Sequence, residues 1–403
     1  MYKKKLSKTI DNYYKLIYIG VNLLLFNLYL MFKKYTFIIG LVGALIVAGC
    51  VSSNSVETSQ LPETIKIGFI GPLTGGMAAY GHDIKIGVSA YFNEHPTIDG
   101  KKVEIIFEDG RCDGQTGASV AQKLITVDKV QAILGGLCSS ETLAAAPIAE
   151  QSKVILISAA SSSPEVSTAG DYTFRNYPSD EQVAKTMVDY VIAHHNTIAL
   201  LSEQSDYAQA YRSAIKKHLN SMGKISDLVV DEAYSLDNTD FRTLLAKVKK
   251  SKADTLIALV QAPVTGGFIA KQAKEMGLDI QIYSGDTLPG PDFFATAKDA
   301  AEGVRVVMAT EDPTRDGYAT LMKKIETPQV SGFFPALGYD AAALLTQGIE
   351  KAGYNGTAIK NYFYKMPFFK GVASNVSFDS NGDNSIDAGV KEVKNGEFVR
   401  ISN

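Results

Sequence analysis

Apolar and polar positions along this 403-residue chain fall into three regimes. From Tyr13 to Leu30 and from Tyr35 to Ala48 apolar residues run almost without interruption, and from Val51 to Pro62 ("VSSNSVETSQLP") they thin out among serines. From Thr64 onwards short β-rich runs alternate with segments of helical periodicity. Strands are predicted at 64–70 ("TIKIGFI"), 102–109, 131–136 and 154–158, with helices over Asp83–Glu94, Thr116–Val127 and Ser140–Gln151 between them. The pattern then restarts, with strands at 197–202, 228–234, 255–260, 280–284 and 304–309. Helices are expected there at 207–222, 240–251 and 266–276, and a long one over Phe334–Ala352.

Alternation of this kind predicts parallel sheet covered by helices on both faces. Two runs of it predict an α/β chain of two doubly wound parallel-sheet lobes joined by a hinge. The first lobe is expected over 63–178 plus 310–370 and the second over 179–309 plus 371–403, with crossovers near Tyr177–Asp180, Ala309–Pro313 and Lys370–Phe378. In such sheets ligands bind beyond the carboxyl ends of the strands, which directs attention to the strand-to-helix corners.

Residues 1–49 carry seven Lys and one acid, Asp11, around the two apolar stretches, which marks a targeting or anchoring region. The second stretch reads as an export signal by itself: Met31, then Lys33-Lys34, an apolar core and "LIVAGC" ending at Cys50. That ending resembles a lipobox, in which the cysteine thiol accepts lipid and becomes the new N-terminus. Met31 is therefore a candidate start, with an extra membrane helix in residues 1–30 as the alternative; for "LIVAGC" the alternative is a transmembrane anchor with an incidental cysteine, and residues 50–62 form a flexible tether. The expected location is the cell membrane, with the binding domain outside the cytoplasm. Removing the leader's seven Lys and one Asp from totals of 40 basic and 43 acidic residues leaves 33 against 42, a net charge of −9. An acidic domain without basic runs excludes nucleic acid as a partner.

Several corners carry hydroxyl groups: "GPLTGGMAAYG" (71–81), "GGLCSSET" (135–142), "SAASSSPE" (158–165), "SEQSDYAQA" (202–210) and "SGDTLPG" (284–290). The glycines of the first match neither a phosphate-binding loop nor a dinucleotide fingerprint. A serine at a helix start caps free N–H groups, and the same groups can hold a carboxylate. Cys138 as a nucleophile would need a base that the five histidines, His82, His95, His194, His195 and His218, do not supply. No enzyme, cofactor or metal site is expected. "DSNGDNSID" (379–387) lacks the acid that a calcium loop needs at its twelfth position, where Val390 falls, and reads as a polar turn. With Cys50 assigned to lipid, Cys112 and Cys138 remain, and two thiols in an exported domain suggest one disulfide.

From about Ile65 to the C-terminus the chain resembles the leucine/isoleucine/valine-type (type I) periplasmic binding proteins that serve ABC transporters. The stretches that carry the resemblance are "IKIGFIGPLTGGMAAYG", "GGLCSSET", "ISAASSSPE", "GYDAAALLTQGIEKAG" and "FDSNGD". It implies a Cys112–Cys138 disulfide and a ligand carboxylate held by Ser139 and Ser162, to which Ser140, at the same helix start, can add a neutral donor. It also gives the ligand ammonium to the Ser161 carbonyl and Asp286, and places Tyr80 and Tyr207 at the ligand side chain. Departures are the Ala160-Ser161-Ser162 run, where relatives often have Gly-Ala-Thr, and Asp286 in place of a longer Glu. The function implied is an extracytoplasmic solute-binding protein that closes on an amino acid and delivers it to an ABC permease. The alternatives are a sensory ectodomain and a binder of amide, urea-like or organic-acid solutes.

Overall fold

The computed structural model describes Leu25, Leu28, Tyr29 and residues 61–402. The chain divides into two compact units, Met1–Thr58 and Ser59–Asn403, and the fold and site belong to the second. The export signal, Cys50 and the tether up to residue 60 lie outside the described residues. No helix among the described residues is long and apolar enough to cross a membrane.

The first lobe is built on a six-stranded sheet of β1 (Thr64–Gly71), β2 (Thr97–Ile98), β3 (Lys101–Asp109), β4 (Ala132–Leu134), β5 (Ile155–Ser158) and β6 (Thr173–Arg175). Their order is β2-β3-β1-β4-β5-β6, and only β2 runs antiparallel to its neighbour. The central strands β4 and β5 are buried throughout, and apolar side chains such as Ile133, Leu134, Leu156 and Ile157 face helices on both sides. Because β1 lies between β3 and β4, the chain leaves the sheet in opposite directions around it. That switch point opens a crevice at the ends of β1 and β4.

Seven strands form the second sheet: β7 (Ile198–Glu203), β8 (Leu228–Tyr234), β9 (Thr255–Leu259), β10 (Gln281–Ser284), β11 (Arg305–Ala309), β14 (Ala388–Lys394) and β15 (Glu397–Ser402). Here the order is β15-β14-β11-β10-β9-β7-β8. Its first five strands are parallel and coincide with the predicted ones to within about a residue at each end, while β14 and β15 form an antiparallel hairpin at the edge. A two-stranded ribbon, β12 (Phe369–Lys370) with β13 (Asn375–Val376), precedes that hairpin.

Helix Ala78–Glu94 packs along helix Phe333–Ala352, so the long C-terminal helix belongs to the first lobe. Glycine allows this approach, since a β-carbon on Gly87 would lie 1.8 Å from the Pro335 carbonyl oxygen and one on Gly338 would lie 2.3 Å from that of Ile84. The first two crossovers pass at Asn176–Ser179 and Thr310–Gly317. The third passes after Ile386, later than the expected Lys370–Phe378. Val376, Phe378 and Ile386 sit in the first-lobe core with Phe174 and Phe363, so residues 371–386 pack with the first lobe. Scattered apolar residues in an Asn- and Gly-rich run carry no period, and the sequence pattern could not assign them.

Candidate functional site

The carboxyl ends of the two sheets face each other across one cavity. Its wall from the first lobe comprises Met77, Tyr80, Leu137, Cys138, Ser139, Ala160, Ser162 and Phe334, and its wall from the second comprises Tyr207, Gln261, Asp286 and Thr287. Five of the seven expected ligand residues, Tyr80, Ser139, Ser162, Tyr207 and Asp286, line it.

Ser139 opens helix Ser139–Ser152, whose first N–H groups have no carbonyl ahead of them. The Ser139 hydroxyl oxygen accepts the Ser163 N–H at 3.2 Å, which leaves its own proton available for an acceptor in the cavity. Ser162 lies on the corner after β5 and donates its hydroxyl proton to Asp180 Oδ2 at 2.9 Å. Ser140 turns elsewhere, donating to the Cys112 carbonyl at 3.0 Å, and it does not line the cavity. Successive helical side chains diverge by about 100°, which separates the two neighbours. Ser161 also lies off the wall: its hydroxyl donates to the Leu137 carbonyl at 3.0 Å, and its own carbonyl accepts Arg175 Nη1 at 3.4 Å.

A disulfide joins Cys112 and Cys138 with their α-carbons 5.2 Å apart, which binds the corners after β3 and β4. Glu141 reinforces this joint. Its buried carboxylate accepts N–H groups of Cys112 at 2.8 Å and of Leu137 and Cys138 at 3.0 Å, and burial pushes its pKa up to about 7. Cys138 is consequently a structural sulfur in the cavity wall, and among the described residues no free thiol is left for nucleophilic attack.

The second lobe supplies an acidic pole. Tyr177 and Tyr207 donate to the two carboxylate oxygens of Asp286 at 2.7 and 2.9 Å. Tyr80 donates across the cleft to the Asp286 carbonyl at 2.9 Å and also to that of Pro289. Asp180 stands beside this group at the start of helix Asp180–His194, buried, and its Oδ1 has no hydrogen-bond donor among the described residues. Burial raises the pKa of both acids, and the nearby Asp286 charge raises that of Asp180 further.

The sequence reading missed Tyr177 and Asp180 as site residues; they lie on the first crossover and at the start of the helix that follows it. A signal was nevertheless present: Ser179 caps the helix at Asp180 by accepting the Glu181 N–H at 3.4 Å. It also missed Phe334, whose ring meets Tyr80 edge-on at 4.8 Å and, with Met77 and Leu137, gives the cavity an apolar side. Among the described residues no group of His, Cys, Asp and Glu could hold a metal ion.

Two α/β lobes that enclose one polar cavity at their facing strand ends define a two-lobed binding protein. The chain belongs to the periplasmic binding protein family, whose model matches residues 64–397. It is 28% identical over 353 residues to the leucine-, isoleucine-, valine-, threonine- and alanine-binding protein of Pseudomonas aeruginosa, covering 85% of this chain and 92% of that one. Among solved structures, the branched-chain amino acid transporter substrate-binding protein LivJ of Streptococcus pneumoniae in complex with isoleucine superposes with a TM-score of 0.74. It is 28% identical and covers 84% of this chain and all, 100%, of that one. A solute-binding protein of an ABC transporter from Rhodopseudomonas palustris in complex with 3,4-dihydroxybenzoic acid superposes with a TM-score of 0.73. The identity there is 26%, with 85% of this chain and 97% of that one covered. The family is one of extracytoplasmic solute-binding proteins, not of enzymes.

Proposed function

We propose that the protein binds a small aliphatic amino acid between its lobes and hands it to an ABC permease. The carrying observation is the polarity of the cavity. One wall offers the Ser139 hydroxyl and a helix start, with Ser162 beside them, and the other offers the half-buried acid Asp286, with the buried Asp180 next to it just outside the wall. A zwitterion buried there has its carboxylate toward the donors and its ammonium toward the acids. Neither charge is then left unpaired, which would cost several kcal/mol. Among the described residues no Lys or Arg lines the cavity, which disfavours an organic acid that lacks an amine. Met77, Leu137 and Phe334 supply an apolar surface for an aliphatic side chain, in keeping with the ligands named for the Pseudomonas and Streptococcus relatives.

Ligand contacts to both walls exist together only when the lobes are closed, so binding shifts the population toward closure and presents one shape to the permease. The crossovers at Asn176–Ser179, Thr310–Gly317 and after Ile386 are the hinge in this reading. Lipid on Cys50 and the Ser-rich tether would hold the domain at the membrane surface. Calorimetry of the purified protein against L-leucine, L-isoleucine, L-valine and 3,4-dihydroxybenzoate tests the reading. Saturable binding of an amino acid is expected, whereas binding of the aryl acid alone would overturn it. Mass spectrometry of the membrane-extracted protein is expected to find a diacylglyceryl mass on an N-terminal Cys50, and an unmodified Cys50 would favour the transmembrane anchor.

A further inference from the structure

The polar turn at 379–387 ends its first half in an acid to which the binding reading gives no task. A β-carbon on Gly382, at φ +75°, would lie 2.4 Å from the Thr173 carbonyl oxygen. Glycine there lets the turn press against β6, and the Arg175 N–H donates to the Gly382 carbonyl at 3.0 Å. This contact sets Asp383 beside Arg175, whose side chain is 0% exposed. Asp383 Oδ1 accepts Arg175 Nε at 2.7 Å, and Asp383 Oδ2 accepts the Ser167 hydroxyl at 2.6 Å. The remaining guanidinium bonds go to the corner that carries Ser162 and to the helical turn Pro164–Thr168 that follows it. Arg175 Nη1 donates to the carbonyls of Ser163 at 2.8 Å and Ser161 at 3.4 Å, and Nη2 donates to the Ser167 hydroxyl at 2.8 Å.

A guanidinium buried without an anion is strongly destabilised, and Asp383 is the carboxylate hydrogen-bonded to Arg175, so it supports the side chain that holds this corner from inside. The pair also joins two hinge segments: Arg175 immediately precedes the first crossover, and Asp383 precedes the third. We propose that Arg175 and Asp383 are positioning residues for ligand recognition. Together they set the Ser161–Ser163 corner in its carboxylate-binding geometry from behind, without touching the ligand. This inference rests on the reading of Ser162 as part of the carboxylate-binding wall.

The test compares L-leucine with L-leucinamide, which keeps the ammonium and side chain and replaces the carboxylate by a neutral amide. Calorimetry on the full chain is expected to show Asp383→Ala weakening leucine by about tenfold, with leucinamide changing by less than about twofold. Asp383→Asn is expected to recover part of the loss, because its amide oxygen can still accept the Nε–H. A folded Asp383→Ala protein with unchanged leucine affinity, or one that loses both ligands equally, would overturn the proposal. Should Asp383→Ala fail to fold, Ser167→Ala removes the hydroxyl shared by both partners. It must then show a smaller loss that is again selective for leucine, and no selective loss overturns the proposal. A wild-type protein that binds no amino acid overturns the binding reading before any variant is measured, which separates the two failures.

Discussion

The two walls of the cavity are made by the same architectural device and carry opposite chemistry. Each is the carboxyl edge of a parallel sheet, with corners that lead into helices. The first-lobe wall presents neutral groups, the Ser139 and Ser162 hydroxyls and the start of a 14-residue helix, and encloses them with Met77, Leu137 and Phe334. The second-lobe wall presents a carboxylate, Asp286, with tyrosine hydroxyls from both lobes on it. The difference shows how one fold can grip a zwitterion. A helix start already carries partial positive charge and needs only small polar side chains to finish it. A strand end offers no comparable negative field, so the cationic pole has to be built from acids.

Removing the acid is the sharpest way to break this contrast. Asp286→Ala leaves an ammonium buried against two tyrosine hydroxyls, and a lost buried charge partner costs on the order of 3 kcal/mol, or more than about a hundredfold in affinity. Calorimetry with leucine measures it. Asp286→Ala with affinity near wild type would assign the ammonium to Asp180 alone.

Acidification attacks the same pole without mutation. Burial raises the pKa of both Asp286 and Asp180, so each takes up a proton at a pH where an exposed carboxylate is still ionised. Protonation removes the charge that the ammonium requires. Affinity should therefore hold on the alkaline side of the raised pKa values and fall as pH drops through them, by up to about tenfold per pH unit. Isotherms recorded from neutral pH down to about pH 5 check this, and Asp286→Asn should flatten the profile. The neutral first-lobe wall predicts no such slope of its own.

On the opposite wall Ser139→Ala deletes one neutral donor to the ligand carboxylate, and its loss corresponds to about 1 to 1.5 kcal/mol, roughly tenfold. The free protein also loses the acceptor for the Ser163 N–H, so a small fall in melting temperature is expected beside the affinity loss. Equal losses from Ser139→Ala and Asp286→Ala would erase the contrast between the walls.

Most of the architecture was legible in advance because apolar periodicity reports burial, and burial decides the sheet. The parallel strands β1, β3, β5 and β7 to β11 lie where alternation placed them. The β14–β15 hairpin followed another code, Asn395-Gly396, both with positive φ, between alternating residues, which a search for strand–helix alternation passes over. Within the site, hydroxyl-rich corners pointed to Ser139 and Ser162, and the resemblance added Asp286. Asp180 and Tyr177 stayed hidden because a crossover has no period. Phe334 stayed hidden because it reaches the cavity from a helix more than 250 positions from Tyr80's, a distance that only the tertiary fold closes.

Ser140 shows the limit of a motif at single-residue scale, and its effect is the smallest of the series. In "GGLCSSET" the two serines are chemically identical and adjacent, and both were expected to face the ligand. The helix that begins at Ser139 turns Ser140 toward the Cys112 carbonyl at 3.0 Å, so its hydroxyl belongs to the joint between the disulfide-bearing corners. Its contribution is then one partly buried hydrogen bond in the fold, about 0.5 to 1 kcal/mol. Ser140→Ala should lower the melting temperature by a few degrees and leave leucine affinity within about twofold. Parallel calorimetry and thermal denaturation of Ser139→Ala and Ser140→Ala make the comparison direct. An affinity loss at Ser140 equal to that at Ser139 would mean that the donor wall extends one residue deeper into the helix than the cavity does.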